Sequence, residues 1–592
     1  MGDYRIDAPN KETEAGDVDE DKLSLEEFLK LPTTVDFETI NSDRFKAFAK
    51  ERPYLHVGTE LASGYVVVYI NKKYFLTVSS ELGENYLNFY PRILSPLDEE
   101  SNYDSGITQI LNQPYLNVTG RNVIIGFVDT GIDYTKSVFR FADGSTKILD
   151  IWDQTIDGPR SPDLYYGAVY TKTDIEEALA SENPFERVPT RDTDGHGTFL
   201  ASVAAGSETG KYTGAAPGAY IMAVKLRRAH PYFIERFLLP EENPNLYEET
   251  DFLLGIKYIL DRSEELNLPV VICIGMGSNM SGHDGNTAFE EYITFVSQRT
   301  GYVFVTAGGN ESNAKHHTQG TIPRTGAFDT INLRVGNPNV SFRFTIYGTA
   351  YDKLSVGVTS PTGETLARVP FRVGFSYSEK LIFEATTITV GYYKDVNTFI
   401  VIELRNATQG IWEVRLYGDS IINGEYYSWL PITGQIDESV EFLKPVPEYT
   451  IVFPATGVSS VTCGAYNSFD NSLFVSSSWG PTRQPRMSPD LTAPGVGVNG
   501  VFPTGHGTMS GTSVSAAVTS GAAALLLEWG IVQGNMKAMN GDTVRVLLSS
   551  GSKREEGVQY PNIKWGYGKL DLFGTFSVIK ETNINYNITN LM

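Results

Sequence analysis

Cysteine is nearly absent. Cys273 and Cys463 are the two thiols in 592 residues, and each sits inside an apolar run (VVICI and VTCGA). Buried free thiols are therefore expected, and two cysteines build neither a disulfide framework nor a cysteine metal site. Basic charge is also scarce. Lys and Arg number 48 against 71 Asp and Glu, for a net charge of −23. This excludes a nucleic-acid binder, which needs a basic face for phosphate, and a polybasic membrane anchor. No uninterrupted apolar run reaches the length of about 18 residues that spans a bilayer. The opening MGDYRIDAPN has no basic stretch followed by an apolar one, so no signal peptide and synthesis in the cytoplasm are expected. What is plentiful is glycine (56) and proline (29), spread through a mixed sequence as in a loop-rich globular protein.

The length exceeds a single core, because cores stop growing near about 250–300 residues. Residues 1–30 carry ten acids against four bases and read as an acidic flexible tail, with a short helix possible at 23–31. Residues 31–100 read as a small α/β unit. Within it, 43–51 is a helix, while 64–70 (GYVVVYI) and 74–79 are strands joined by a turn at 71–73. Residues 94–105 are a turn-rich linker. From 101 to 330 buried-strand runs at 123–128, 220–224, 270–274 and 302–306 alternate with helical patterns such as 247–261. Such alternation implies a parallel sheet with helical crossovers. Residues 331–445 break that rhythm with period-two runs at 341–346, 354–358, 398–404 and 410–417, which implies an inserted all-β sandwich or jelly roll. The α/β rhythm resumes over 446–592 and ends in a long helix after Ser513.

Three short motifs carry chemistry. Asp129-Thr130-Gly131 follows the strand run 123–128 directly. A carboxylate buried there is costly without a partner, and sites form at the carboxyl ends of strands in open α/β sheets. Alone, it is equally a turn. Asp194-Gly195-His196-Gly197-Thr198 frames a histidine with two glycines before an apolar helical run. Gly511-Thr512-Ser513-Val514-Ser515 opens a helix of small residues; alone it reads as an ordinary N-cap. Together they supply a hydroxyl nucleophile, a base for it, and a carboxylate to orient the base.

The blocks VIIGFVDTGID, DGHGTFLASVAAG and GTSVSAAVTSGAAALL, in this order, resemble the subtilisin-like serine proteases. The resemblance covers about 106–330 and 446–575. It implies a subtilisin-like parallel-sheet catalytic domain and a serine endopeptidase with Asp129, His196 and Ser513 as orienting acid, base and nucleophile. VFVTAGGNES resembles the family's oxyanion segment, which implies Asn310 as a side-chain donor. Gly275, Met276 and Gly277 match its substrate-binding strand, where the family commonly has serine at the first position. Ala307, Gly308 and Gly309 would line the adjoining pocket. No cofactor is implied for the chemistry. Structural Ca²⁺ is common in the family, yet no ligand run assigns it here. His316-His317 does not read as a metal pair, since adjacent residues rarely ligate one ion and no third ligand is evident, and His283-Asp284 reads as part of a polar, Gly-rich loop.

The α/β unit ahead of the catalytic domain, the β insert between Asn310 and Ser513, and the blocks CIGMGSNMSGHDG and AGGNESNAKHH resemble the Csp germination proteases of clostridial spores. That resemblance implies limited proteolysis of a cortex-hydrolase zymogen, a spore-associated location, and an N-terminal propeptide that is cleaved within 90–105 and stays bound as a partner. A non-spore protease and a signalling pseudoprotease are the alternatives, and the intact triad speaks against the second.

Overall fold

The computed structural model describes residues 28, 31, 33–60, 65–82, 102–160, 164, 166–208, 212–394, 398–484 and 486–589. The acidic tail up to 27 and most of the 94–105 linker lie outside the described residues.

The chain divides into two compact units, residues 1–96 and 97–592. In the first, strands Thr34–Ile40, Tyr65–Asn71 and Leu55–Glu60 form an antiparallel sheet in that order. Val66, Val68 and Ile70 alternate into a core shared with Phe45 of helix Asp43–Lys50. The expected strand at 74–79 is instead part of helix Lys72–Leu82. Its apolar positions Tyr74, Val78 and Leu82 recur every four residues and pack on that core, which is helical spacing. The Tyr, Phe, Thr and Val of the segment suit a strand equally well, so the four-residue spacing decides.

The second unit is built on an eight-stranded sheet. Its order is Leu491–Pro494, Val461–Tyr466, Tyr302–Ala307, Val270–Ile274, Ile124–Asp129, Tyr220–Lys225, Ile148–Asp153 and Ala168–Thr171. Neighbours run parallel except for the final pair. The central strands are largely apolar along their length, as strands covered on both faces are. Helices His196–Ala205 and Thr512–Leu527 are buried within the same core cluster. The stretch Thr512–Val532 is long and apolar enough to cross a membrane, although polar residues interrupt its apolar runs. It is mostly buried inside the protein, and its small residues let it lie against the sheet. At its end the buried Glu528 carboxylate accepts the N–H groups of Thr119, Gly120 and Arg121 at 2.6–3.0 Å, so this charge is well satisfied. Cys273 and Cys463 are buried free thiols; burial pushes the Cys273 thiol up to about 12.

The insert is two antiparallel sheets around one core. One has six strands (His317–Thr321, Glu425–Trp429, Val340–Tyr347, Thr398–Ala407, Thr387–Lys394, Ser376–Lys380). The other has five (Thr365–Val369, Lys353–Thr359, Gly410–Ser420, Phe328–Val335, Val440–Phe442). The antiparallel strands thus begin at His317, ahead of the expected 331. Trp429 fixes the insert to the catalytic domain. Its indole is stacked between His283 of that domain, at 4.1 Å and 7°, and His317 at 4.9 Å. Its Nε1–H donates to the Tyr449 carbonyl at 3.0 Å. Burial lowers His283 to about 4 and His317 to about 3, so both rings are neutral near pH 7 and stack without burying charge. Trp429→Ala should cost about 3–5 kcal/mol, the usual range for deleting a buried large aromatic. Chemical denaturation followed separately in the insert and the catalytic domain would check this.

Candidate active site

Asp129 is the last residue of the central strand, so its side chain emerges at the sheet's carboxyl edge. His196 is the first residue of its helix and Ser513 the second of its own. His196 Nδ1 lies 2.8 Å from Asp129 Oδ1, which also accepts the Thr130 N–H at 2.8 Å. Close approach of the two segments requires glycine at 197. A methyl there would stand 2.2 Å from the Gly131 carbonyl oxygen and 3.2 Å from Asp129 Cβ.

Asp192, almost fully buried, caps the histidine helix. It accepts the N–H of Gly195 at 2.8 Å and the N–H and hydroxyl of Thr198 at 3.0 and 2.6 Å. Asp194 Oδ1 accepts the His196 N–H at 3.1 Å. Burial alone would lower the imidazole. Asp129, through charge and hydrogen bond, outweighs it together with Asp194 and Asp192, and the His196 pKa rises above its ordinary 6.5.

Gly275 shows how the serine joins this pair. A methyl on Gly275 would lie 3.1 Å from His196 Cε1 and 3.3 Å from Ser513 Cβ, so both side chains flank one point. It would also meet Leu200 Cδ1 at 2.6 Å, so Leu200 takes the space that a larger residue at 275 would need. At Gly511 a methyl would lie 3.4 Å from Ser513 Oγ and 3.5 Å from Asn310 Nδ2. The Asn310 amide is held by its other end: Oδ1 accepts the N–H and hydroxyl of Thr512 at 3.0 and 3.1 Å. The Thr512 hydroxyl in turn accepts the Gly309 N–H at 3.1 Å.

The remaining candidates lie on the two neighbouring segments. Ala307 ends its strand. Val452 packs between two glycine-bearing segments; methyls at Gly277 and Gly309 would meet its Cγ atoms at 2.5 and 2.7 Å. Gly308 pairs with Cys463 and Val452 through backbone bonds of 2.8 and 3.0 Å, and Ser278 exchanges two 3.0 Å bonds with Phe453. Met276 packs against the core cluster behind the sheet. His316 and His317 part ways: His316 Nδ1 meets Glu311 Oε2 at 2.6 Å, and His317 Nδ1 donates to the Val446 carbonyl at 3.1 Å. No group of three His, Cys, Asp or Glu side chains gathers as a metal cluster among the described residues.

Sequence reasoning missed Asp192, Asp194 and Thr512 as supports. The first two carry a legible signal, since acids before a helix start are capping residues. Thr512 carries none, because its partner lies 202 positions away.

A hydroxyl at a helix N-terminus, beside an imidazole oriented by a buried carboxylate, defines a serine hydrolase on a parallel α/β sheet. The chain belongs to the subtilase family, whose sequence profile matches residues 120–568. It is a serine endopeptidase. Its structure is similar to that of the Clostridium perfringens CspB protease, with 31% sequence identity and a TM-score of 0.72 over 81% of this chain and 98% of that one. A cold-adapted subtilisin-like serine proteinase matches at 15% identity and a TM-score of 0.37, over 79% of this chain and 97% of that one.

Proposed function

We propose that this subtilase performs limited proteolysis, cutting a spore cortex-lytic zymogen during germination. Asp129, His196 and Ser513 run the chemistry. Ser513 Oγ attacks the scissile carbonyl carbon while His196 Nε2 takes its proton. Asp129 holds Nδ1–H and stabilises the imidazolium that forms. The tetrahedral oxyanion faces Asn310 Nδ2 and the Ser513 N–H, one of the helix N-terminal donors without an intrahelical partner. His196 then protonates the leaving amine, and water, activated by the same base, releases the acyl group from Ser513. The observation that carries this chemistry is the 2.8 Å Asp129–His196 bond with His196 and Ser513 flanking Gly275. Asn310→Ala should lower kcat about 10²–10³-fold, the cost found for one such donor in a subtilisin, with KM little changed. Steady-state kinetics on a peptide substrate reads both.

The likeness to the CspB protease supports the germination role, as does the insert interrupting the catalytic domain. Residues 31–100 act in this reading as a propeptide, cleaved within 90–105 by the enzyme itself. The test is incubation of purified protein with cortex-lytic zymogens, sequencing of the product N-termini, and mass measurement of the protease chain. A single cut in the zymogen and a shortened protease are expected. An active peptidase that leaves every zymogen intact would sink the germination role. A wild-type chain as long as Ser513→Ala would sink the propeptide.

A further inference from the structure

One tight turn of the insert, Ile432 to Gln435, reaches segments that flank the catalytic residues; it is closed by a 2.9 Å bond from the Gln435 N–H to the Ile432 carbonyl. Gly434 sits there at φ 84°. Thr433 and Gly434 are exposed, so the core of the insert does not need their side chains. Their backbone groups reach two different segments of the catalytic domain.

On one side, the Thr433 N–H donates to Glu311 Oε1 at 3.0 Å. Glu311 directly follows Asn310. It is nearly fully buried, its Oε2 meets His316 at 2.6 Å, and its own N–H donates to Ser478 Oγ at 3.0 Å. The peptide that carries the Asn310 amide is thus anchored through its neighbour to the insert. On the other side, the Gly434 carbonyl accepts from Asn243 Nδ2 at 2.8 Å. Asn243 Oδ1 accepts the Asn245 N–H at 2.8 Å, Asn245 Nδ2 donates to Asp194 Oδ2 at 2.7 Å, and Asp194 accepts the His196 N–H at 3.1 Å. Tyr247 also holds Asn245, with its hydroxyl donating to Oδ1 at 2.9 Å. Two adjacent residues of the insert therefore connect, through short hydrogen-bonded chains, to the oxyanion segment and to the loop of the base.

We propose that the Thr433–Gly434 turn is a positioning element for catalysis, setting the Asn310 amide and the His196 imidazole in register through Glu311 and Asn243. The inference rests on the triad reading and goes beyond it, because it makes part of the turnover rate a property of the insert. Small misplacements of reacting groups cost rate steeply, whereas a contact that only docks the insert affects stability.

The experiment is a double-mutant cycle on the full chain with a peptide substrate. Asn243→Ala and Glu311→Ala should each lower kcat by about 10- to 100-fold, with KM changed by less than about threefold. Glu311→Gln, which keeps an acceptor for the Thr433 N–H, should recover most of the loss. Glu311 and Asn243 are joined through the turn, so the double variant should fall short of the product of the two single losses; independent sites would multiply. Arg236→Ala breaks another insert contact, the 2.6 Å pair with Glu403, and should leave kcat unchanged. A multiplicative double variant, losses confined to melting temperature, or an equal kcat loss in Arg236→Ala overturns the proposal. Active-site titration with a fluorophosphonate separates this from failure of the triad reading: the variants should label at full stoichiometry, and Ser513→Ala not at all.

Discussion

Ser513→Ala should lose about 10⁶-fold in kcat, the order found when the serine of a subtilisin triad is removed, and should no longer be labelled by a fluorophosphonate. The substitution deletes one oxygen and keeps a good helix former near the start of Thr512–Leu527. The neighbouring Thr512 contacts that hold Asn310 do not involve the Ser513 side chain. The catalytic fold should therefore be kept, with a near-ultraviolet circular dichroism spectrum like that of wild type, and loss of activity reports the missing nucleophile together with the self-cleavage it prevents. His196→Ala should fall to a similar level, since an alcohol without a base is a weak nucleophile. Rates can be measured on a chromogenic peptide, with intact mass after probe treatment as the second readout. Residual turnover above about one percent of wild type would be incompatible with Ser513 as the nucleophile, because the oxyanion donors alone retain far less.

The central sheet was legible because its strands are covered on both faces. Ile124–Asp129, Val270–Ile274 and Tyr302–Ala307 are runs of apolar residues that few other structures would bury. Ile148–Asp153 was missed because buried charge interrupts its apolar run. Asp150 is satisfied by Arg262 at 2.6 Å and Asp153 by Thr190 at 2.6 Å, partners far away in sequence. In the insert, strands with a clean inward alternation were found, such as Gly410–Ser420. The edge strand Ser376–Lys380, with only Glu379 half-buried, offered no pattern to read.

The same division holds for the site. The triad is written in local motifs, because each of its residues needs glycine or small neighbours around it. Glu311 and Asn243 carry no such mark. Their partners in the insert lie 122 and 191 positions away, and a side chain whose role depends on a distant backbone group looks like any other polar loop residue. Glu311 illustrates the cost. Beside Asn310 it resembles a surface acid, yet it is buried and bonded on both oxygens.

Asp129 offers the sharpest test of how the base is tuned. Asp129→Ala should lower kcat about 10⁴-fold, in line with loss of the acid from a subtilisin triad, because nothing then orients Nδ1–H or offsets the imidazolium. Asp129→Asn separates orientation from charge. The Thr130 N–H donates to the same Oδ1 that meets His196, so an asparagine amide keeps its oxygen there and its Nδ2 away. The imidazole retains the tautomer with Nε2 free to accept a proton, and only the negative charge is lost. Asp129→Asn should therefore be less damaging than Asp129→Ala. Its pH profile should also move. In the wild type, Asp129 with Asp194 and Asp192 raises His196 above 6.5 against the opposing effect of burial. The base works unprotonated, so kcat/KM should rise with pH through a limb above 6.5. With the Asp129 charge gone, burial has the larger say and the limb should shift to lower pH. Measuring kcat/KM from pH 5 to 9 decides the matter. An unchanged limb in Asp129→Asn would mean that another group sets the acid side of the profile, and a loss equal to that of Asp129→Ala would mean that the amide flips and locks the histidine in the wrong tautomer.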